Sequence, residues 1–140
     1  MLAFGVLIAS AVNPGDVIYL QGPLGTGKTS LSRGLLSGLG YSGFVKSPSY
    51  TLIEHYQLPQ VDLIHLDLYR IDDPSAIVNL GLSYYLKNNS ILLIEWPEKA
   101  INFLPSPSWC CKISIKGVGR ELVFETKSFA FQQFLLNIPK

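Results

Sequence analysis

A glycine-rich stretch, GPLGTGKTS at residues 22–30, carries side chains that are suited to phosphate chemistry. Gly22, Gly27, Lys28 and Thr29 meet the pattern Gly-x-x-x-x-Gly-Lys-[Ser/Thr]. Glycines let the backbone curl so that consecutive N–H groups point at phosphate oxygens. The lysine would reach the β- and γ-phosphates, and the threonine hydroxyl can ligate Mg²⁺. The predicted contacts to ATP or ADP within this loop are Leu24, Gly25, Thr26, Gly27, Lys28, Thr29 and Ser30.

The segments on either side of this loop fit the structure that a phosphate loop needs. The apolar run DVIYL at 16–20 predicts a strand before it, and LSRGLLSGL at 31–39 continues a predicted helix that starts at Lys28. The N-terminus of that helix would add its positive dipole end to the site. An ordinary glycine-rich turn is the alternative, and the full pattern in this context disfavours it.

Two acidic residues follow apolar runs that resemble buried strands. Asp67 ends VDLIHLD at 61–67, and Glu95 ends SILLIE at 90–95. A magnesium ion held by Thr29 and phosphates needs a carboxylate from the end of a buried strand. We therefore expect both acids in the site, one nearer the metal and one positioning water.

These residues need a layered scaffold, and the pattern of elements predicts the α/β class. Strands and helices alternate early in the chain, and the two last strands form a predicted hairpin through residues 117–119. We expect a P-loop-like, three-layer single domain: a mostly parallel sheet with an antiparallel extension and helices on both faces. The predicted strands are 16–20, 51–57, 61–67, 90–95, 109–116 and 120–126. The predicted helices are 2–12, 28–39, 74–87 in one or two pieces, and 128–137.

Composition limits the classes of function. The chain has 140 residues, a net charge of +1 and 15% charged residues, so a general nucleic-acid-coating surface is not expected. The adjacent Cys110 and Cys111 are expected to be reduced thiols. The apolar N-terminal run at 1–12 is too short to span a bilayer and has no basic residue before it. We therefore expect a buried first helix, no membrane contact and a cytoplasmic location.

Several classes of protein that contain a phosphate loop are disfavoured, because the sequence lacks their other motifs. A GTPase would carry an Asn-Lys-x-Asp motif, which does not occur. A small-molecule kinase would bring several arginines and a lid, whereas this chain has three arginines: Arg33, Arg70 and Arg120. A minimal ATPase that works on a partner protein remains.

Four stretches at matching spacing carry a family resemblance: GPLGTGKTSLSRGLL (22–36), VKSPSYTL (45–52), HLDLYR (65–70) and LLIEWPE (92–98). Together they resemble the bacterial TsaE family, also called YjeE, over nearly the whole chain. The resemblance implies a Mg²⁺-dependent ATPase that supports formation of threonylcarbamoyladenosine at position 37 of tRNAs reading codons that start with A. It also implies that the protein acts with TsaB and TsaD, and that tRNA is reached mainly through that complex.

The resemblance implies roles for particular residues. Asp67 is similar to a Walker B acid, and Glu95 matches a glutamate that binds Mg²⁺ with Thr29. Trp96 and Arg120 match residues near the nucleotide. The segment Ser47–Tyr50 resembles a switch near the γ-phosphate.

The sequence also departs from the family pattern. Pro23 and Thr26 replace commoner loop residues, and Pro23 removes one N–H from the rim of the cradle. Relatives carry an early strand and a threonine close to the adenine, and this chain begins with Met1 at about that place. Either the start codon is misassigned or recognition of the base is weakened, so the preference for adenine is left open.

The expected mechanism is metal-assisted hydrolysis with Lys28, Asp67 and Glu95 as the catalytic residues. Thr29 and Glu95 would hold Mg²⁺, Lys28 would stabilise charge on the transferring phosphoryl group, and Asp67 would position or deprotonate the attacking water. Turnover should be slow without partners. A non-hydrolysing, nucleotide-dependent adaptor and, less favoured, a small-molecule kinase stay open as alternatives.

Overall fold

The structure, a computed structural model, describes residues 1–46 and 51–138. Its strands are β1 (Val17–Gln21), β2 (Ile53–Gln57), β3 (Asp62–Asp67), β4 (Ile91–Glu95), β5 (Trp109–Lys116) and β6 (Gly119–Thr126). Its α-helices are α1 (Leu2–Ile8), α2 (Lys28–Gly38), α3 (Leu82–Lys87) and α4 (Phe129–Leu136). Short 3₁₀ segments occupy Ala9–Ala11, Pro74–Leu80, Pro97–Lys99 and Ile101–Phe103.

The six strands form one sheet in the order β2-β3-β4-β1-β5-β6. The four central strands are parallel, and β2 and β6 pair antiparallel at the two edges. The predicted α/β class with a mostly parallel core is confirmed. The β5–β6 hairpin was predicted. The antiparallel pairing of β2 with β3 was not, although the connection between them, at 58–61, is too short for a parallel crossover.

Both faces of the central strands are buried, as their near-continuous apolar sequences predict. Successive side chains of β1 alternate between the faces. Ile18 and Leu20 pack in one cluster with α2, whereas Val17 and Tyr19 pack in the other cluster with Ile77 of a 3₁₀ segment. Helices α1, α2 and α4 therefore cover one face, and the segment from 74 to 87 covers the other.

The predicted helices form with two local differences. The first helix becomes 3₁₀ after Ile8 and ends at Ala11. The expectation that the first helix is buried is wrong for much of its length, because Leu2, Val6 and Leu7 are exposed. The stretch predicted at 74–87 is divided at Gly81, whose φ of 71° is left-handed, and a 3₁₀ segment precedes α3. Asp73 caps that segment by accepting a hydrogen bond from the Ser75 N–H at 3.0 Å. Among the described residues no helix is long and apolar enough to cross a membrane.

Helices α1 and α2 touch backbone to backbone through glycines. A Cβ atom at Gly34 would lie 2.1 Å from the carbonyl oxygen of Leu2, and one at Gly5 would lie 2.4 Å from the carbonyl oxygen of Leu31. Side chains cannot occupy that space, so α1 fixes the position of α2. Because α2 follows the phosphate loop directly, this contact also fixes the loop's helical end.

We expect the substitution Gly34→Ala to lower the free energy of unfolding by about 1–3 kcal/mol. The methyl group would meet backbone atoms that can only move with the whole helix, which outweighs the alanine's better helix propensity of about 1 kcal/mol. Chemical denaturation measures the change. Ser37→Ala, at an exposed site on α2, is the control and should stay within about 0.5 kcal/mol. Equal stability of both variants would show that the helices do not pack this closely.

The two cysteines lie on β5, and both are free and buried. Desolvation raises the pKa of the Cys110 thiol to about 11 and that of the Cys111 thiol to about 12. The Cys110 thiol donates to the Gln21 Oε1 atom at 2.9 Å. Both thiols are therefore poor nucleophiles.

Iodoacetamide at pH 8 should label neither cysteine in the folded protein within the time that labels both after denaturation. About one Cys110 thiol in a thousand would be ionised at that pH, because the thiolate is the reactive form and the pKa lies about three units higher. Mass spectrometry of timed samples measures the labelling. Fast labelling of the native chain would contradict the burial of β5.

Candidate active site

The loop between β1 and α2 passes close to β5. A Cβ atom at Gly22 would lie 2.5 Å from the carbonyl oxygen of Ile113, so this position requires glycine. At the other end of the loop, Gly27 has a φ of 104° and precedes α2 without a side-chain cap. The first N–H groups of a helix lack intrahelical acceptors, so those at the start of α2 are available to an anion.

Lys28 is buried at the start of α2. Its Nζ atom donates to the carbonyl oxygens of Gly22 and, at 3.0 Å, of Pro23. Burial lowers the pKa of the Lys28 ammonium group, and the carboxylates of Glu95, Asp67 and Glu98 oppose that shift. The lysine is thus a desolvated cation that faces acidic side chains.

The two acids lie at the carboxyl ends of neighbouring parallel strands. Asp67 pairs in register with Glu95, and Glu95 pairs with Leu20 at the end of β1. Asp67 and Glu95 are only 6% and 2% exposed, respectively. Because ligands of open α/β sheets bind outside the carboxyl ends of the strands, this edge is where a substrate is expected.

Trp96 turns the chain at the end of β4. Its backbone is left-handed, with φ 59° and ψ 48°, a conformation that is uncommon for residues other than glycine. Its indole lies beside the Lys28 Nζ atom, 4.4 Å from the ring centroid, and its ring contacts that of Tyr69 at 5.0 Å. Such strained backbone clusters at functional sites.

A cleft of about 340 Å³ opens at this edge. The loop, α2, and the residues after β3 and β4 all border it. Its lining residues are Leu24, Gly25, Gly27, Lys28, Thr29, Ser30, Asp67, Tyr69, Glu95 and Trp96. The structure therefore brings together nine of the residues that sequence analysis assigned to the site.

Thr26 and Arg120, also assigned to the site, do not line the cleft. The Thr26 hydroxyl is buried and donates to the Pro23 carbonyl oxygen at 2.8 Å. Arg120, at the start of β6, donates from Nε to the Thr26 carbonyl oxygen at 3.0 Å and from an Nη atom to that of Gly25 at 3.4 Å. Both side chains hold the shape of the loop from outside the cleft.

Sequence analysis gave no role to Tyr69 or His65. Tyr69 lines the cleft, and its N–H donates to the Asp67 Oδ1 atom at 3.0 Å. His65 is fully buried, and its Nε2 atom lies 2.6 Å from the Glu95 Oε2 atom. Since side chains two apart on a strand share a face, the position of His65 relative to Asp67 was the available signal.

The oxygen donors at the cleft fit Mg²⁺. Within residues 1–46 and 51–138, no group of three or more His, Cys, Asp or Glu side chains could hold a metal ion by itself. Mg²⁺ commonly needs only one or two carboxylates together with substrate phosphates and water. Thr29 and Glu95 both lie on the cleft and provide hard oxygen atoms. The predicted switch at Ser47–Tyr50 lies outside the described residues.

We expect Arg120→Ala to loosen the phosphate loop, because two carbonyl oxygens would lose their donors. The ¹⁵N relaxation order parameters of the Gly25 and Thr26 amides should fall from about 0.85 towards about 0.6. Lys116→Ala is the control, since Lys116 lies on the same hairpin but pairs with Glu121 at 2.8 Å. Unchanged order parameters in Arg120→Ala would show that the loop holds its shape without the guanidinium.

Comparison with known proteins gives consistent matches. The sequence model of the family described as "Threonylcarbamoyl adenosine biosynthesis protein TsaE" matches residues 1–122. The chain is 44% identical to the tRNA threonylcarbamoyladenosine biosynthesis protein TsaE of Haemophilus influenzae, over 75% of this chain and 70% of that protein. It is 38% identical to the Bacillus subtilis protein of the same name, over 87% of this chain and 77% of that protein. The crystal structure of Bacillus subtilis YdiB is similar to this fold, with a TM-score of 0.78 and 30% identity over 96% of this chain and 84% of that chain.

Proposed function

The chain belongs to the TsaE family of threonylcarbamoyladenosine biosynthesis proteins, and from that premise we propose that it is an ATPase supporting this tRNA modification. It binds ATP with Mg²⁺ in the cleft and hydrolyses it slowly until partner proteins engage. The partners are TsaB and TsaD, and tRNA is reached mainly through them. The protein works in the cytoplasm.

One observation carries this proposal: a phosphate-type loop, a buried lysine and two buried carboxylates border the same cleft. Lys28, Asp67 and Glu95 reach it from three different elements, α2, β3 and β4. Desolvating an ammonium and two carboxylates at one place is costly in folding. Binding of a triphosphate and a metal ion would explain why these charged groups are buried together despite that cost.

Each residue has a distinct task in the proposed reaction. The loop N–H groups and the Lys28 ammonium bind phosphate oxygens, and Lys28 exchanges its bonds to the Gly22 and Pro23 carbonyls for them. Thr29 and Glu95 would hold Mg²⁺, which would supply positive charge to offset that of the phosphates. The Asp67 carboxylate orients the attacking water or takes its proton.

The cleft also suggests why partners are needed. Among the described residues that line it there is no arginine, although an arginine that stabilises the transferring phosphoryl group raises turnover by about 10³–10⁵ in related reactions. We propose that the TsaB–TsaD complex supplies this stabilisation. Trp96 and Tyr69 line the same cleft, where their rings contact each other at 5.0 Å.

Mg²⁺-ATP turnover by the purified chain should be slow and should rise by about 10³ or more when TsaB and TsaD are added. Glu95→Gln should lower the stimulated rate by about 10²-fold or more, because the amide is a poorer metal ligand than the carboxylate. Glu125→Gln, at an exposed site on β6, is the control and should keep the rate. Phosphate release measures turnover.

Two results would contradict the proposal. If ATP binds and the complex forms while turnover stays at background, the protein is a nucleotide-dependent adaptor. If labelled γ-phosphate appears on a metabolite rather than as inorganic phosphate, it is a kinase.

A further inference from the structure

A fully buried histidine lies directly behind the proposed metal ligand. His65 has no exposed surface, and its Nε2 atom lies 2.6 Å from the Glu95 Oε2 atom. His65 and Asp67 share one face of β3, while Glu95 follows from the neighbouring β4. The imidazole therefore lies on the core side of Glu95 and does not line the cleft.

The hydrogen-bond pattern favours one position for the ring proton. The Nδ1 atom of His65 is buried and has no hydrogen-bond partner among the described residues. A proton on Nδ1 would leave a buried donor unpaired and would direct the Nε2 lone pair at a carboxylate oxygen. A proton on Nε2 makes a short donor–acceptor bond to Glu95 and leaves only an acceptor unpaired.

Packing alone does not explain a histidine at this buried position, because its Nδ1 atom has no hydrogen-bond partner among the described residues. Away from the cleft, the neighbours of His65 on the same sheet face include the buried apolar side chains of Leu63 and Leu93. A leucine at position 65 would have no unpaired polar atom of its own, but it would leave the Glu95 Oε2 atom without this hydrogen bond. The histidine does what leucine cannot, since it donates a hydrogen bond to a carboxylate that is only 2% exposed.

We propose that His65 is a positioning residue that orients Glu95 as a metal ligand. Its Nε2–H holds one carboxylate oxygen on the core side, so that the other oxygen faces the cleft. This inference rests on the proposed function, in which Glu95 binds Mg²⁺. Partners that hold a ligand from behind change metal affinity by about 10–100-fold when they are removed.

The tautomer is tested in the wild-type protein without nucleotide or metal. A long-range ¹H–¹⁵N spectrum should show His65 protonated at Nε2, with a proton that exchanges slowly with water. His55 is the internal reference, because its Nε2 atom pairs with Asp62 at 3.0 Å but both side chains are more than two-fifths exposed. A proton on His65 Nδ1 would overturn the inference, whatever the protein's activity.

The effect on the metal is tested with two amide variants that differ in reach. In His65→Gln the amide nitrogen can take the place of Nε2, whereas in His65→Asn it is too short to reach Glu95. The probe is Mn²⁺ bound with a non-hydrolysable ATP analogue, followed by electron paramagnetic resonance. We expect Mn²⁺ affinity to fall about 10–100-fold in His65→Asn and to be largely kept in His65→Gln.

Further measurements separate a positioning role from a folding role. Binding of the ATP analogue in EDTA should stay within about twofold in both variants, since the phosphate loop is untouched. Melting temperatures establish that both variants are folded, and His55→Asn should leave Mn²⁺ affinity unchanged. Equal Mn²⁺ affinity in His65→Asn and wild type would overturn the inference.

Glu95→Gln distinguishes failure of this inference from failure of the proposed function. If Glu95→Gln loses Mn²⁺ affinity and His65→Asn does not, the metal site stands and His65 has no part in it. If Glu95→Gln also keeps full affinity, Glu95 is not a metal ligand and the proposed function is wrong at this residue. Loss in Glu95→Gln and His65→Asn, with retention in His65→Gln, supports both.

Discussion

The desolvation of three ionisable side chains at one edge of the sheet constrains the rest of the site. Lys28, Asp67 and Glu95 are nearly buried, and each needs partners that replace water. The lysine takes two loop carbonyls and the face of Trp96, and the glutamate takes the imidazole of His65. Their mutual attraction partly opposes the desolvation of the lysine. The left-handed turn at Trp96 contributes to this, because it places an aromatic ring beside the buried Lys28 ammonium group.

The scaffold holds this edge in place through backbone contacts more than through side chains. The parallel register joins Leu20, Glu95 and Asp67 across three strands. On one side, the loop touches β5 at Gly22 and is bound by Arg120. On the other, the glycines of α1 and α2 allow contacts that no side chain could make. A shift in any of these elements would move the loop relative to the carboxylates.

Much of the fold could be read from local pattern. Apolar runs that end in Asp67 and Glu95 indicate central strands, and Asn13-Pro14-Gly15 marks the end of the first helical segment. The antiparallel direction of β2 was not predicted, although the connection from β2 to β3, at 58–61, is too short for a parallel crossover. The division of the 74–87 segment at Gly81 was left open, because glycine permits a left-handed residue and packing decides whether it is used.

The amino-acid sequence by itself determined the chemistry that is available: the phosphate loop, the two strand-end acids and the tryptophan that follows one of them. Those features depend on residue type and short spacing, which are local. Only the tertiary structure decided that Thr26 and Arg120 shape the loop from outside the cleft, and that Tyr69 lines it. It also paired His65 with Glu95, which are 30 positions apart in the chain. Such pairings depend on strand order and register, and these are set by which apolar faces are buried together, not by the residues that meet.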